Sequence, residues 1–465
     1  MKNYFSIPII LCFFIVNIYS QTTEILDANF EQALIDLNID SDNTINGTIL
    51  TSDITGITHL DVSSKNISDL TGIEDFISLT SLYCYNNQLT SLNVTNNIAL
   101  TFLQCYNNQL TSIDVTQNTA LTFINFNGSQ LTTIDLSQNT LLTTLGLTGN
   151  LLTSLDISQN TALTYIQCQG NQLNTLDVSN NIALYHLKCF WNQLTSLDLN
   201  NNTALGKLNC SSNQISELNI SQNILLTELT CSNNPLLATL DISNNTMLTD
   251  LNCSDNPLLA TLDISNNTML TDLDCYNNSL LTSLDLSNNT ALELFNGPVT
   301  PFTSLDFSNN TALTVLNCSY NPEITSLNIN NGNNSDMVGF DARNNFLLTC
   351  IQVDDETAAN AGEAPYTNWL KSSWTTYSED CASLSLNDDI LAISITLYPN
   401  PVSNILIIDS KIPLKKIEIF SLLGQKVKEL NSNFNSIPTN DLSNGIYIVI
   451  LESENRFITK KFIKK

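Results

Sequence analysis

The chain has 465 residues, and its 44 Asp and Glu against 16 Lys and Arg give a formal net charge of −28 at pH 7. Ten of these basic residues lie from Lys411 onward, so all of the excess negative charge belongs to the part before it. A strongly anionic surface repels phosphate backbones and anionic lipids. This charge argues against nucleic acid or a membrane surface as partner and favours cationic groups or calcium.

A short apolar run, from Tyr4 to Ile18, follows the basic Lys2 at the N-terminus. The run is too short to cross a bilayer comfortably, and Ser20 before Gln21 offers a small residue for cleavage, as is typical of a signal peptide. Residues 1–20 are therefore predicted to be removed on export. No later segment reaches the ~18 apolar residues that a membrane-spanning helix needs.

Residues 21–56 are predicted to cap the N-terminal end of the array that follows. Apolar residues recur at helical spacing from Ile25 to Leu37, and Thr48 to Ile57 has the pattern of a strand. An array of repeats exposes an apolar edge at each end, so a helix followed by a strand is expected to cover the first edge.

The segment between this helix and strand resembles the start of a calcium-binding loop. Its oxygen-bearing side chains stand at alternate positions, in Asn38, Asp40, Asp42 and Thr44. A calcium loop is closed by a bidentate Glu, whereas Ile49 stands at that position here. Two interpretations stay open, a calcium site and a metal-free turn rich in Asp and Asn.

From residue 57 to 349 the sequence repeats with a period of 21–22 residues. Three consecutive units from Leu163 read LTYIQCQGNQLNTLDVSNNIA, LYHLKCFWNQLTSLDLNNNTA and LGKLNCSSNQISELNISQNIL. Each unit has two halves, LxxLxCxxN and LxxLDVSxN, and both halves resemble the leucine-rich-repeat segment LxxLxLxxN. The resemblance implies a solenoid in which each coil packs only on its neighbours.

Both halves alternate apolar and polar residues, which predicts two short strands per coil. The expected fold is mainly β: a leucine-rich-repeat solenoid with two short parallel sheets, a small helical N-terminal cap and a disulfide-closed C-terminal cap. The Asn that ends each half, such as Asn171 or Asn192, is expected in a tight turn, where it bonds the backbone of adjacent coils. The pattern breaks around Phe295-Asn296-Gly297-Pro298, which predicts an irregular loop.

Nine cysteines share the inward LxC position: Cys84, Cys105, Cys168, Cys189, Cys210, Cys231, Cys253, Cys275 and Cys318. Phe126 and Leu147 take the same position in two coils, so this position serves packing, and a buried Cys behaves as a small hydrophobe. Neighbouring strands lie ~4.8 Å apart, too far for the ~3.8 Å between the Cβ atoms of a disulfide. We predict that these thiols stay reduced and form neither a metal site nor a redox site.

Residues 350–392 are predicted to form a C-terminal cap and linker. Cys350 falls at an outward position of the repeat, and Cys381 is the only other cysteine outside the LxC column after the signal peptide. In an exported protein these two cysteines are expected to form a disulfide that closes the cap. Trp369 and Trp374 lie between them in sequence and are expected to cover the open edge.

Residues 393–465 are predicted to form a separate β-sandwich, because short apolar runs alternate with turns and Lys becomes frequent. The segments LYPNP (397–401), IEIFSLLGQ (417–425), LSNGIY (442–447) and KKFIKK (460–465) resemble, in the same order, those of type IX secretion sorting domains of Bacteroidetes. The resemblance implies recognition by the type IX secretion machinery and passage across the outer membrane. Removal of the domain would follow, with the remainder either anchored at the cell surface or released.

An aspartate recurs at the outward position of the LDV half, in Asp114, Asp135, Asp156, Asp177, Asp198, Asp241, Asp263, Asp285 and Asp306. Bound cations, raised pKa values or hydrogen bonds from adjacent Ser and Thr are three ways to relieve the repulsion in such a column. A repeated residue marks the repeat and not a unique site, and neither His59 nor His186 has metal-ligand motifs around it. The sequence therefore predicts no enzyme, and no cofactor besides the possible calcium.

The outward positions that flank the LxC column vary along the array, and in its N-terminal half they are aromatic or basic. They predict a binding patch for a protein or a glycan, formed by Tyr83, Tyr85, Phe102, Tyr106, Phe123, Tyr165, His186, Lys188, Phe190 and Trp191. Alternatively, these rings only shield neighbouring strands. A rival function is a structural or adhesive surface-layer component without a discrete ligand. A localised unusual patch would favour binding, and a uniform face of Thr, Ser and Asn would favour the rival.

Overall fold

The computed structural model describes residues 21–382, 395–422, 424–453 and 456–465, so the predicted signal peptide and most of the linker lie outside the described residues. The chain divides into two compact units, Met1–Asn139 and Thr140–Lys465, which we take in turn.

The first unit begins with the expected helical cap, but the strand predicted from Thr48 to Ile57 ends at Leu50, where a short helix follows. Its elements are β1 (Thr22–Glu24), α1 (Ala28–Asp36), β2 (Thr48–Leu50) and α2 (Thr51–Ile54), and β1 pairs antiparallel with β2. The helix α1 begins after Asp27, whose carboxylate accepts hydrogen bonds from the backbone N–H groups of Asn29 and Phe30. Phe30 and Leu34 are fully buried, so the helix turns its apolar face inward.

The repeats of the first unit form one parallel sheet. Its strands are β3 (His59–Asp61), β4 (Ser81–Tyr83), β5 (Phe102–Gln104) and β6 (Phe123–Asn125), and a 3₁₀ turn at Ile73–Asp75 lies between the first two. In each strand the central Leu or Ile is fully buried, while the two flanking residues point outward.

The second unit continues the same pattern through the remaining coils. Its solenoid strands are β7 (Thr144–Gly146), β8 (Tyr165–Gln167), β9 (His186–Lys188), β10 (Lys207–Asn209), β11 (Glu228–Thr230), β12 (Asp250–Asn252), β13 (Asp272–Asp274), β14 (Leu294–Asn296), β15 (Ser304–Asp306), β16 (Val315–Asn317), β17 (Ser326–Asn328), β18 (Gly339–Ala342), β19 (Cys350–Gln352), β20 (Leu370–Lys371) and β21 (Thr376–Ser378). Strands β7 to β14, β16, β18 and β20 form the main parallel sheet. The predicted mainly β, leucine-rich-repeat solenoid is confirmed.

The predicted second sheet is present only in the last coils, where β15, β17, β19 and β21 pair in parallel. In the earlier coils an asparagine side chain makes the coil-to-coil bonds of this half-repeat. The Nδ2 atom of Asn118 donates to Val94 O at 2.8 Å and to Asn97 O at 2.9 Å. The prediction that this second sheet runs through the whole array was therefore wrong. In the earlier coils the asparagine side chains link neighbouring coils without a backbone ladder.

In the main-sheet half the terminal Asn behaves as expected. Nδ2 of Asn192 donates to the carbonyl oxygens of Cys168 and Cys189, each at 3.0 Å, and its Oδ1 accepts from the backbone N–H of Leu173 at 3.0 Å. One buried side chain thus satisfies backbone groups of two consecutive coils.

The nine LxC cysteines are buried and form no disulfides, as the distance between neighbouring strands predicted. Burial raises the pKa of Cys168 and of Cys210 to about 12, so these thiols hold their protons at neutral pH. We call this row the cysteine ladder.

The irregular loop expected near Phe295 is absent. Strand β14 keeps its register with β13 and β16, because Gly297 takes the ladder position and the ring of Phe295 fills the space that a larger side chain would need. A Cβ atom on Gly297 would sit 2.7 Å from Cζ of that ring. A larger side chain at residue 295 and a smaller one at residue 297 thus fill the same space inside a regular coil.

The C-terminal cap contains α3 (Glu356–Ala361) and a 3₁₀ turn at Tyr366–Asn368. Cys350 and Cys381 form the predicted disulfide, with their Cα atoms 5.8 Å apart. Trp369 stacks on Phe340 and Trp374 on Phe346, and all four rings are buried.

The last part of the chain is a β-sandwich. Its strands are β22 (Ile395–Tyr398), β23 (Ile405–Ser410), β24 (Lys416–Ser421), β25 (Lys426–Leu430), β26 (Ser436–Pro438), β27 (Gly445–Ser453) and β28 (Arg456–Lys464). One antiparallel sheet has the order β22-β23-β26, and the other has the order β25-β24-β27-β28. Within the described ranges, none of the helices combines the length and the apolar character needed to cross a membrane.

Candidate binding surface

In each unit, the predicted patch residues lie on or beside the outward side of the parallel sheet. In each three-residue strand the first and third side chains point outward, and parallel pairing aligns them in rows across neighbouring coils. The ten predicted patch residues fall on both units, five on each.

In the first unit the five aromatic residues come together in stacked pairs. The rings of Phe102 and Phe123 lie 4.1 Å apart at an interplanar angle of 9°, and those of Tyr85 and Tyr106 lie 4.5 Å apart at 7°. Tyr83 lies 5.0 Å from Phe102. All five side chains are half-buried, because each ring covers a face of its neighbour.

In the second unit, Tyr165 and His186 meet edge to face at 4.8 Å, and Phe190 and Trp191 do so at 5.3 Å. Lys188 lies outward on the same strand as His186. Burial and the nearby Lys188 lower the pKa of His186, which favours the neutral form of the ring. Lys207 lies beside His186 on the next strand, because both are the first residue of their strands. The side chain of Lys207 forms an ion pair with Glu228.

Trp191 is not on the sheet itself but in the turn that follows it. Its φ of 52° places it in the left-handed region, and its side chain is 66% exposed. Equivalent turn positions in most other coils hold small or polar residues, among them Asn86, Asn107, Gly128, Gly170, Ser212, Asn233 and Asn277, whereas Val299 and Tyr320 hold two later turns. The small or polar residues tolerate this backbone well, and a bulky one is strained there. With its side chain 66% exposed, Trp191 gains little burial to offset that cost.

Tyr185, in the same coil, is a further candidate for this patch that was not predicted from the sequence. It is 49% exposed and occupies a position where most coils have threonine. The hydroxyl of that threonine donates to the preceding coil, as Thr164 Oγ1 does to Thr143 O at 3.1 Å. The break in the threonine column at Tyr185 and Gly206 was visible in the sequence. We call Tyr185, His186, Lys188, Phe190 and Trp191 the Trp191 patch.

Further along the same sheet the outward residues turn acidic. Glu228, Asp250 and Asp272 occupy one row, and together with Asp274 they line a recess of about 320 Å³. Burial raises the pKa of Asp274, although Asn296 donates a hydrogen bond to its carboxylate at 3.1 Å. This part of the surface suits neutral or cationic groups better than anions.

The aspartate column on the other half of the repeat is stabilised locally. Asp285 Oδ1 accepts the backbone N–H of Ser287 at 3.0 Å, and hydrogen bonds from the side chain and backbone of Ser287 lower its pKa. The pKa is lowered in the same way at Asp114, Asp156, Asp177, Asp241 and Asp263. Hydrogen bonds from Ser and Thr therefore relieve the repulsion there, and raised pKa values do not.

The segment considered for calcium forms a turn held by its own side chains. The carboxylate of Asp42 accepts hydrogen bonds from the backbone N–H of Thr44 and the side-chain amide of Asn46, both at 2.8 Å, while Asp40 accepts one from Asp42 N–H. Asn38 takes a left-handed backbone. Across the described part of the chain, no group of three His, Cys, Asp or Glu is placed to hold a metal ion.

These features define a class of protein: an exported leucine-rich-repeat protein with a C-terminal secretion tail. Residues 396–465 match the family model described as a secretion system C-terminal sorting domain. This type IX tail directs export to the cell surface or into the medium. No curated protein matches the sequence significantly.

Solved structures resemble the chain over most of its length. The functional domain of InlJ from Listeria monocytogenes, described as including a cysteine ladder, is 28% identical with a TM-score of 0.69, covering 96% of this chain and 99% of that one. The internalin InlF of the same organism is 21% identical (TM-score 0.56, 75% and 96% covered). The Leptospira interrogans protein LIC12759 is 23% identical (TM-score 0.51, 54% and 69% covered). The last two likenesses concern the fold.

Proposed function

We propose that the chain is a non-enzymatic binding protein, displayed or released after export, that holds a protein partner on the Trp191 patch. The observation that carries this proposal is the exposure of Trp191 at a left-handed turn. An exposed, bulky residue in a backbone conformation that strains it favours a functional role, and Trp and Tyr are the usual anchors of protein interfaces.

The surroundings of Trp191 favour a localised site over a uniform surface. Tyr185 departs from the threonine column, and Lys188 places a positive charge within an anionic body. Trp191 departs from the small or polar residues that most of the equivalent turns hold. All three departures fall within one coil. This is the chemically unusual patch that distinguishes a binding protein from a uniform structural component.

The composition of the Trp191 patch favours a protein partner over a glycan. Phe190 and Trp191 meet edge to face at 5.3 Å, so each ring covers part of the other, and Lys188 lies outward on the preceding strand. Aromatic rings beside a basic side chain suit the mixed side chains of a partner protein. The acidic recess beyond Lys207 adds a preference for basic side chains.

The rival function, a surface-layer component without a discrete ligand, is favoured by one observation. The other half of the repeat presents a regular face, in which Asp241, Asp263 and Asp285 make the same hydrogen bond to a serine two residues later. Regularity of this kind suits lateral packing between molecules. The two functions differ in whether binding depends on the Trp191 patch.

The test compares the mature chain with the variant Phe190→Ala, Trp191→Ala. Each is immobilised and exposed to biotinylated extracellular proteins from the native habitat and, separately, to a glycan array. A retained protein should bind the double variant at least ~2 kcal/mol more weakly, or about 30-fold. The matched control is Leu236→Ala, which removes an apolar side chain that is 50% exposed outside the patch.

Unchanged affinity in the double variant, with the fold intact, would place the site elsewhere. Glycan binding that is lost in the double variant would replace the protein by a glycan. Absence of any specific ligand, together with ordered self-assembly of both proteins, would favour the surface-layer function. Trp369 and Trp374 are buried, so a change in tryptophan fluorescence on binding would report mainly on Trp191.

A further inference from the structure

The larger sheet of the C-terminal sandwich has apolar residues on both of its faces. In β27, Val449 and Leu451 belong to the core of the sandwich, whereas the alternate residues Ile448 and Ile450 belong to a different cluster. Successive side chains of a strand point to opposite faces, so Ile448 and Ile450 lie on the outer face. Each is only 2% exposed, which means that another part of the chain covers this face.

The covering residues belong to the last repeat of the solenoid and to its C-terminal cap. Phe346 and Trp374 form one buried cluster with Ile448 and Ile450. The ring centroid of Phe420, from β24, lies 5.2 Å from that of Phe346 and 5.8 Å from that of Trp374. With Phe457 at the border, these residues form what we call the cap interface: Phe346, Trp374, Phe420, Ile448, Ile450 and Phe457.

Contacts of a different kind surround the cap interface. Nζ of Lys461 lies 3.3 Å from Oε1 of Glu323, which joins the basic sandwich to the anionic solenoid. Tyr320 approaches the turn after β24 so closely that a Cβ atom on Gly424 would sit 3.1 Å from its ring. An apolar centre with a polar border is the usual composition of a specific interface.

We propose that the sorting domain has a second role, as the outermost layer of the C-terminal cap. It docks within the same chain on Phe346 and Trp374, and each side covers the apolar surface of the other. The outer face of the sorting sheet is therefore masked while the solenoid is folded. Removal of the domain uncovers Phe346 and Trp374 at the end of the solenoid. This role does not depend on the Trp191 patch.

The experiment uses the chain from residue 21 to 465 and a zero-length carbodiimide cross-linker. Docking predicts an intramolecular amide between Lys461 and Glu323, detected by peptide mass spectrometry in the monomer band. Ile450→Glu places a carboxylate in the cap interface, and its burial cost should lower the cross-link yield more than about five-fold. The matched control Ile405→Glu changes a residue that is 51% exposed on the other sheet, and it should leave the yield unchanged.

Equal yields in the native chain and Ile450→Glu would overturn the proposal, as would a cross-link found mainly between different molecules. Ile450→Glu could instead unfold the sandwich, so a second arm uses the paired variant E323K K461E. Docking predicts the same cross-link with exchanged partners in the paired variant and its loss in each single variant. Failure of the folded paired variant to cross-link would also overturn the proposal.

Discussion

The ring of Tyr185 lies over Gly206, one coil further along the chain, so closely that a Cβ atom on Gly206 would sit 2.2 Å from Cε2 of the ring. Any side chain at residue 206 would therefore displace Tyr185. Threonine holds this position in most coils and bonds to the preceding carbonyl, as Thr227 does to Gly206 O at 3.1 Å. Tyr185 and Gly206 together interrupt that column.

Restoring the column with Tyr185→Thr and Gly206→Thr should stabilise the fold and weaken partner binding. Two hydrogen bonds are gained and a flexible glycine is removed, so the free energy of unfolding should rise by about 1 kcal/mol. Urea denaturation measures this change. Gly206→Ala alone is the control, since it moves the ring without adding a hydroxyl. A double variant less stable than the native chain would contradict the interpretation.

Replacing Trp191 by Asn should raise the free energy of unfolding by roughly 1 kcal/mol, because Asn tolerates a left-handed backbone that strains a bulky residue. The matched reverse change is Asn233→Trp, at the equivalent turn with φ of 53°. It should lower stability by a similar amount. Denaturation midpoints of both variants check the pair, and a loss of stability in Trp191→Asn would show that the ring supports the fold.

The cysteines should separate into two chemical groups. Iodoacetamide should leave the nine ladder thiols unmodified in the folded protein, because burial raises the pKa of Cys168, for example, to about 12. All nine should react after denaturation. Changing Cys350 and Cys381 to Ser should lower the free energy of unfolding by about 2–4 kcal/mol. Disulfides between ladder positions in a peptide map would contradict this assignment.

The aspartate column should make the free energy of unfolding depend on pH. Hydrogen bonds from Ser265 and Ser287 hold the pKa of Asp263 and Asp285 below the ordinary value of 3.8, so these carboxylates stabilise the fold above that pH. The contribution is lost as the pH falls through the lowered folded-state pKa. Asp263→Asn with Asp285→Asn should reduce the loss of unfolding free energy between about pH 6 and pH 3.

One natural residue and one further variant serve as controls for that prediction. Asn219 already holds the same position in another coil and accepts the backbone N–H of Ser221 at 3.1 Å, so the Asn variants should fold normally. Asp274 has a pKa raised by burial, and Asp274→Asn should act in the opposite sense by steepening the loss in acid. Identical acid profiles for all variants would rule out the column as the cause.

The sequence alone determined the repeat, the buried cysteine ladder, the disulfide and the sorting domain. Each follows from a local pattern that recurs or matches with fixed spacing. Alternation sends Leu187 and Cys189 inward, and no long-range information is needed to see it. The pairing of Cys350 with Cys381 followed in the same way, because all other cysteines after the signal peptide already had a place in the ladder.

The tertiary structure decided what depends on contacts between coils and between domains. In the second half-repeat a backbone ladder forms only in the last coils, where it adds to asparagine bonds such as that of Asn331 Nδ2 to Asn310 O at 2.9 Å. The ring of Phe295 fills the space beside Gly297 inside a regular coil. Trp191 lies in a left-handed turn and not on the sheet, and its exposure depends on its neighbours. Ile448 and Ile450 read as ordinary strand residues in the sequence. Their outward direction and burial against Phe346 appear only when solenoid and sandwich are folded together, because burial depends on residues about a hundred positions away.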